Sequence, residues 1–266
     1  MMSWLKEPQL QGQVPGTARF FATQKSIIQQ RPLLKWCYDD WYARLQADAR
    51  SVTEPGLLVE LGSGGSCLKE LEPSLITSDV VDGVADRVID ARRLPFADSS
   101  IRALFLTHVF HHIPDVGAFF AEAERVLVPD GVVSMIEVAH TPFARFFFKN
   151  FHHEPYWDEC QEWPFAQTDS MMDSNQALSW MVFHRDRVRF EKLHPQLKVE
   201  TTAHLPWLAY LVSGGVTMRQ LVPGFLYGPI RGLEYLLSPL APALALHWHI
   251  CLRKTAGSAT GSIKTA

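Results

Sequence analysis

The segment Val59-Glu60-Leu61-Gly62-Ser63-Gly64-Gly65-Ser66 runs from a strand-like apolar stretch into a short helical one. Glycines at such a junction let the backbone turn sharply and approach a ligand with no Cβ in the way. A nicotinamide or flavin fingerprint, G-x-G-x-x-G, needs a glycine where this chain has Cys67. A phosphate-cradling loop needs Gly-Lys-Ser/Thr, which is missing. What remains is a strand ending in an acid followed by G-x-G; the alternative is a tight turn that binds nothing. Asp79 and Asp90 then close the next two strand-like runs. In an open parallel sheet the strand C-termini line the ligand crevice. Two acids there suit a ligand offering ribose hydroxyls and an exocyclic amine, all hydrogen-bond donors. Each acid alone would serve equally as a loop cap.

A second set of reactive side chains is histidine-rich. Six of the eleven histidines lie between His108 and His153. His111-His112 follows the fourth strand-like run, and His152-His153-Glu154 lies beyond the fifth. If those strands are neighbours, the two groups converge, and one of the five acts as a general base or orients an acceptor. The competing reading of His111-His112 is a loop feature with no catalytic part. His152, His153, Glu154, Asp158 and Cys160 also offer metal-binding atoms. Adjacent histidines aim poorly at one ion unless the backbone turns, and no x₂–x₄ ligand spacing is present, so no metal is expected. Phe143, Phe146, Phe147, Phe148, Tyr156, Trp157 and Trp163 form a dense aromatic group, suited to core packing or to an apolar substrate wall.

The elements that must position these residues follow from periodicity. Residues 1–24 read as a polar, irregular arm. Pro32 opens a helix with Leu34, Cys37, Trp41 and Leu45 on one stripe, and Pro55-Gly56 ends this cap region. Short apolar runs follow: Leu57–Leu61, Leu75–Val80, Arg87–Asp90, Ala103–Thr107 and Gly131–Val138. A helix over Val116–Val128, capped by Asp115, separates the last two. Between the second and third runs the chain is too short for a crossover helix, so a turn is expected there. Further on, a helix near Ser174–Phe183 and strands at Leu197–His204 and near Leu244–Leu252 are expected. Buried strands alternating with helices indicate a parallel sheet covered on both faces.

Four segments in order carry a resemblance. They are Glu60-Leu61-Gly62-Ser63-Gly64, then Asp90-Ala91-Arg92-Arg93-Leu94-Pro95-Phe96, then Phe110-His111-His112-Ile113-Pro114-Asp115, then Glu122-Ala123-Glu124-Arg125-Val126-Leu127-Val128-Pro129-Asp130-Gly131. Together, over about residues 55–140, they resemble the successive motifs of class I S-adenosylmethionine-dependent methyltransferases, of the type that includes ubiquinone and menaquinone biosynthesis enzymes. The resemblance implies an α/β, Rossmann-like, seven-stranded and mostly parallel sheet, with an N-terminal helical cap and an inserted helical lid. It implies S-adenosyl-L-methionine as cofactor. Glu60, Leu61, Gly62, Ser63 and Gly64 would surround its methionine part, Asp79 its ribose, and Asp90 with Ala91 its adenine. Thr107, at the end of the fourth strand, belongs to the same set. The chain departs from the family in its glycine loop, where Ser66 stands for the usual third glycine and Gly65 comes one position early. It departs also in the short link after Asp79 and in Asp130-Gly131 where Gly-Gly is common. Methyl transfer is an in-line displacement that needs a base only when the acceptor must lose a proton.

Composition narrows the partners. The chain has 266 residues, 47% hydrophobic and 20% charged, which is ample for a core and excludes a disordered chain. A net charge of −3 offers no basic field for nucleic acid. Four scattered cysteines without a Cys-x-x-Cys pair fit a reducing cytoplasm. No secretory signal or ordinary spanning helix is read. Residues 201–252 hold only three charged side chains, Arg219, Arg231 and Glu234. They read as lid helices or as a peripheral membrane surface, and they point to a small or lipid-like hydrophobic acceptor. The expected organisation is a cap over 1–54, a cofactor core over 55–140, substrate-side insertions with the final strands over 141–254, and a flexible tail over 255–266. A binding protein that holds the cofactor without turnover is the alternative function.

Overall fold

The computed structural model describes residues 5–166, 168 and 173–255. Two helices lead: α1 (Ala18–Gln30) and α2 (Pro32–Arg50). The chain then alternates through β1 (Leu57–Leu61), α3 (Leu68–Leu71), β2 (Ile76–Asp79), β3 (Arg87–Val88), β4 (Ile101–Thr107), α4 (Val116–Val126) and β5 (Leu127–Val138). Helix α5 (Pro142–Phe151), the short α6 (Leu178–Trp180) with a π turn at Met181–Arg185, and α7 (Arg187–Leu193) precede β6 (Leu197–His204). An insertion carrying α8 (Leu208–Ser213), α9 (Tyr227–Leu237) and α10 (Ala241–Leu244) leads to β7 (His247–Lys254).

The seven strands form one sheet in the order β3-β2-β1-β4-β5-β7-β6. Pairs from β3 to β5 are parallel, and β7 runs antiparallel to both neighbours. Period-two alternation sends the strand side chains to two cores. Leu58, Ala103 and Phe105 pack under α2 with Leu34, Trp41 and Leu45. Val59, Leu104 and Leu106 pack on the other face with Phe110, Phe119 and Phe120. Asp115 caps α4 by accepting from the Ala118 N–H at 3.1 Å. The order reverses beside β1, between β2 and β4, so the crevice opens where β1 and β4 end.

Three sequence expectations change. The arm ends early, because residues 18–24 are already helical: Thr17 caps α1 at the Phe20 N–H, and Phe20, Ile27 and Ile28 bury themselves against the neighbouring helix. Polar residues on the outer face of α1 hide that stripe in the sequence. The helix expected near Ser174–Phe183 starts at Leu178, since Ser174, Asn175 and Gln176 are spent on loop hydrogen bonds and burial. The last strand begins at His247, after Ala241–Leu244 has finished a helix. Apart from Thr255, the expected flexible tail lies outside the described residues. No helix among the described residues is long and apolar enough to cross a membrane.

The apolar insertion is fastened by buried charge. Glu234 of α9, 4% exposed, accepts from the backbone N–H of Trp207 at 2.9 Å and of Ala209 at 2.7 Å, at the start of α8. Arg31, between α1 and α2, donates to the carbonyls of Ser213, Gly215 and Met218 and pairs with Glu7. Replacing Glu234 by alanine strands two buried N–H groups, at a cost of about 1–3 kcal/mol. E234A is therefore expected to lower the melting temperature and to speed proteolytic cleavage within 205–244. An unchanged cleavage pattern would show that the latch does not hold the insertion.

Candidate active site

The glycine loop is held from below. Gly62 has φ +63°, and a Cβ there would meet the Val109 side chain at 2.6 Å. Gly64 has φ +47°, with Phe21 of α1 lying against it. The Ser63 N–H donates to the Ser78 carbonyl at 2.8 Å, and the Gly64 N–H to Asp79 Oδ2 at 3.0 Å. Ser66, at the place of the usual third glycine, replaces backbone freedom with side-chain bonds. Its hydroxyl donates to Glu60 Oε1 at 2.7 Å and accepts from the Leu68 N–H at 3.1 Å, starting α3. Tyr42 of α2 accepts from the Cys67 N–H at 3.0 Å. Glu60 lies beneath the loop rather than on a cleft wall; burial pushes its carboxyl up to about 7, and its Oε2 has no partner.

Two cavities meet at this loop. The outer one, about 700 Å³, is lined by Leu61, Gly62, Gly64, Asp79, Asp90, Ala91 and His112, among others. Burial raises the Asp79 carboxyl, whose oxygens accept from Gly64 and Val81. Asp90 is lowered by its hydrogen bonds from Arg92. The inner cavity, about 210 Å³, is lined by Ser63, Thr107, His152, His153, Glu154 and Phe148, with Tyr38, Tyr210 and His247. Gly62, Gly64, Phe21 and His108 border both. Of the clustered aromatics, Phe148 reaches this wall, whereas Tyr156 and Trp163 pack in the core and Phe146 and Trp157 face outward. The apolar wall thus comes largely from other elements.

The two histidine groups do converge. A short 3₁₀ turn over Phe110–His112 follows β4, and β5 lies beside it. Glu137 of β5 accepts from the Val109 and Phe110 N–H groups and meets His111 Nδ1 at 2.6 Å. Glu154 approaches His111 Nε2 at 3.4 Å, His112 Nε2 at 3.8 Å and His153 Nε2 at 3.6 Å, and accepts from Gln176. Burial opposes charge on His111, yet Glu137 and Glu154 outweigh it and raise the ring to about 10. Burial and the neighbouring His111 charge push His112 down to about 4. His111 itself lines neither cavity and is 2% exposed.

Sequence reasoning passed over His108. It is the first residue beyond β4, in the left-handed region at φ +57°, with its N–H fixed on the Ile136 carbonyl at 2.9 Å. A histidine held there carries backbone strain. Burial lowers its ring to about 4, and its buried Nε2 has no partner. The strand-end rule that selected Asp79 and Asp90 also points to position 108. Tyr210 and His247, by contrast, reach the pocket only through tertiary packing against Trp41.

Glu60 yields a pH dependence. Its folded pKa of about 7 lies above the ordinary carboxyl value of 4.5. The native state therefore favours the protonated form, and stability falls as pH rises from the ordinary value through 7, then levels off. The penalty is on the order of 1–3 kcal/mol. E60Q is expected to melt progressively higher than the wild type between pH 5 and pH 8. A melting difference that does not change with pH would contradict this protonation state.

Comparison with known proteins agrees with this geometry. Residues 70–135 match the Methyltransferase domain family. A ubiquinone/menaquinone biosynthesis C-methyltransferase from Desulfotalea psychrophila is 30% identical over 73 residues, 25% of this chain. The match spans only 30% of that relative's length. Two crystal structures of geranyl diphosphate C-methyltransferase from Streptomyces coelicolor share the fold. One, with Mg²⁺, geranyl diphosphate and S-adenosyl-L-homocysteine, has TM-score 0.51 and 14% identity, covering 94% of this chain and 89% of that one. The other, with geranyl-S-thiolodiphosphate, has TM-score 0.52 and 16% identity, covering 91% and 83%. Residues 70–135 are thus similar in sequence to the Methyltransferase domain family, and the seven-stranded sheet shares the fold of the two methyltransferase structures.

Proposed function

We propose that this chain transfers a methyl group from S-adenosylmethionine to a small or lipid-like hydrophobic acceptor. The observation that carries the reading is the meeting of a nucleoside-sized outer cleft and an aromatic inner pocket at one glycine loop, with His108 on both. The residues fit the cofactor. Gly62 keeps open a space that a Cβ would contest with Val109, and the buried Thr107 hydroxyl has no protein partner. Leu61, Gly62, Ser63 and Gly64 would hold the methionine part, with Glu60 bracing them from beneath. Asp79 would accept from ribose hydroxyls, and Asp90 with Ala91 would face the adenine.

When bound, the cofactor supplies a methyl already activated on a sulfonium. The protein then aligns the partners and keeps water away. The acceptor would lie against Phe148, Tyr38 and Tyr210. Its proton, or its orientation, is assigned to the group formed by His152, His153, Glu154, His111 and His112. His108 joins them because its unpartnered Nε2 lies where both cavities meet.

Calorimetry with S-adenosyl-L-homocysteine and transfer of labelled methyl to a panel of isoprenoid and quinol lipids tests this reading. G62A and D79A are expected to weaken cofactor-product binding at least tenfold. H108N should keep that affinity while lowering kcat about 100-fold. Binding without product across the panel would favour the alternative, a cofactor-holding protein. The observation behind that alternative is the departure of the loop at Gly65 and Ser66.

The chain's surface also supports a peripheral membrane contact for acceptor supply. Phe225, Tyr235 and Leu236 are 81%, 85% and 72% exposed on the turn before α9 and on that helix. The four free cysteines fit a cytoplasmic setting. Neutral phosphatidylcholine vesicles should pellet the wild-type chain and lose it when Phe225 and Leu236 are both changed to serine. Equal recovery of both proteins in the supernatant would remove the membrane from the proposal.

A further inference from the structure

The imidazoles of His111 and His112 and the carboxylate of Glu154 bring ligand-type atoms within 4.8 Å of one another. The 3₁₀ turn is what allows two adjacent histidines to aim at one point, with ring centroids 4.4 Å apart. Each ring is held from behind. His111 Nδ1 meets Glu137 Oε2 at 2.6 Å, and His112 Nδ1 meets the Asp173 carbonyl at 3.2 Å. A carbonyl oxygen only accepts, so His112 carries its proton on Nδ1 and leaves a lone pair on Nε2. Glu137 already accepts two backbone N–H groups, which favours its ionised form and an N–H on the His111 Nδ1 that faces it.

A bound ion would take the place of the proton that Glu137 and Glu154 favour on His111. The two Nε2 lone pairs would then point at the ion, beside the Glu154 oxygens that lie 3.4 and 3.8 Å away. Those separations exceed an ordinary N–H···O bond. They approach the edge of a coordination shell, in which ligands about 2.0–2.1 Å from a tetrahedral ion stand about 3.3 Å apart. A carboxylate or carbonyl behind each ring is the arrangement that orients metal-bound histidines. Charge agrees: two buried carboxylates, Glu137 and Glu154, balance one divalent cation. His153 Nε2, 3.6 Å from Glu154 Oε1, stands as a fourth donor.

We infer that His111, His112 and Glu154 form a binding site for one divalent transition-metal ion, with Glu137 and the Asp173 carbonyl positioning the two rings. Two imidazoles and a carboxylate select a zinc- or iron-type ion over magnesium, which prefers an all-oxygen shell. Glu154 and His153 line the inner pocket, so the open position of the ion would take an anionic oxygen of whatever lies there. The site stands independently of the methyl-transfer reading.

The test uses the full chain freed of metal with a chelator, titrated with Co²⁺ and followed by visible ligand-field absorption, then by displacement with Zn²⁺. One Co²⁺ per chain is expected. H112A and E154Q should each weaken binding at least tenfold, and E137Q by 10–100-fold. H184A, on an exposed histidine outside the cluster, should bind as the wild type does. Melting curves and S-adenosyl-L-homocysteine calorimetry on the same samples distinguish a lost site from a lost fold, and a failed metal site from a failed cofactor site. Absence of stoichiometric Co²⁺ binding by the folded wild-type chain would overturn the inference. So would undiminished binding by folded H112A and E154Q.

Discussion

A single buried carboxylate organises the reactive end of this molecule. The Glu137 side chain is fully buried at the C-terminal end of β5. An ionised carboxylate in such a place is costly unless its lone pairs are used. Here they are, by the N–H groups of Val109 and Phe110 and by the ring of His111. Satisfying that charge forces the chain leaving β4 to reverse at His108, which adopts a left-handed backbone, and to enter a tight turn. The same turn sends Phe110 down against Phe119, Phe120 and Phe183 in the core. The sheet, the strained residue and the histidine cluster therefore share one electrostatic anchor.

A second constraint comes from the two ends of the chain. The glycine loop is covered by α1 through Phe21 and braced by α2 through Tyr42. The inner pocket is closed by Tyr210 of the insertion and His247 of β7, both packed on Trp41. Arg31 links the helix pair to carbonyls at 213, 215 and 218, across more than 180 residues of sequence. The sheet itself supplies the crevice, while cap and insertion decide how deep and how apolar it is. The shape of the inner pocket thus resides in elements that the parallel sheet does not need for its own formation.

The shortage of charge also has a structural meaning. In the insertion, Glu234 is turned inward to hold backbone N–H groups, and Arg231 lies over the Trp36 ring at 4.9 Å. What remains on the outer face of α9 is largely apolar. A sheet of ordinary polarity is therefore joined to a hydrophobic face.

Much of the scaffold was legible in the chain itself. β1 and β6 fall within the bounds that the sequence pattern sets: β1 is a nearly continuous apolar run buried in the middle of the sheet, and β6, at the sheet edge, alternates buried and more exposed positions. Asp115 was readable as a cap, and Gly62, Gly64, Asp79 and Asp90 as crevice residues, since strand ends and tight turns are local properties. Helix α1 was not, because its buried stripe is narrow and its outer face polar. Neither were the roles of Glu137, His108 and His247. Alternation makes a carboxylate within a buried strand look like any other inward position. Only the pairing of β4 with β5, and of β5 with β7, brings that charge to its three donors and gathers histidines from three distant segments. Sequence periodicity decides which residues are buried; long-range strand pairing decides which of them meet.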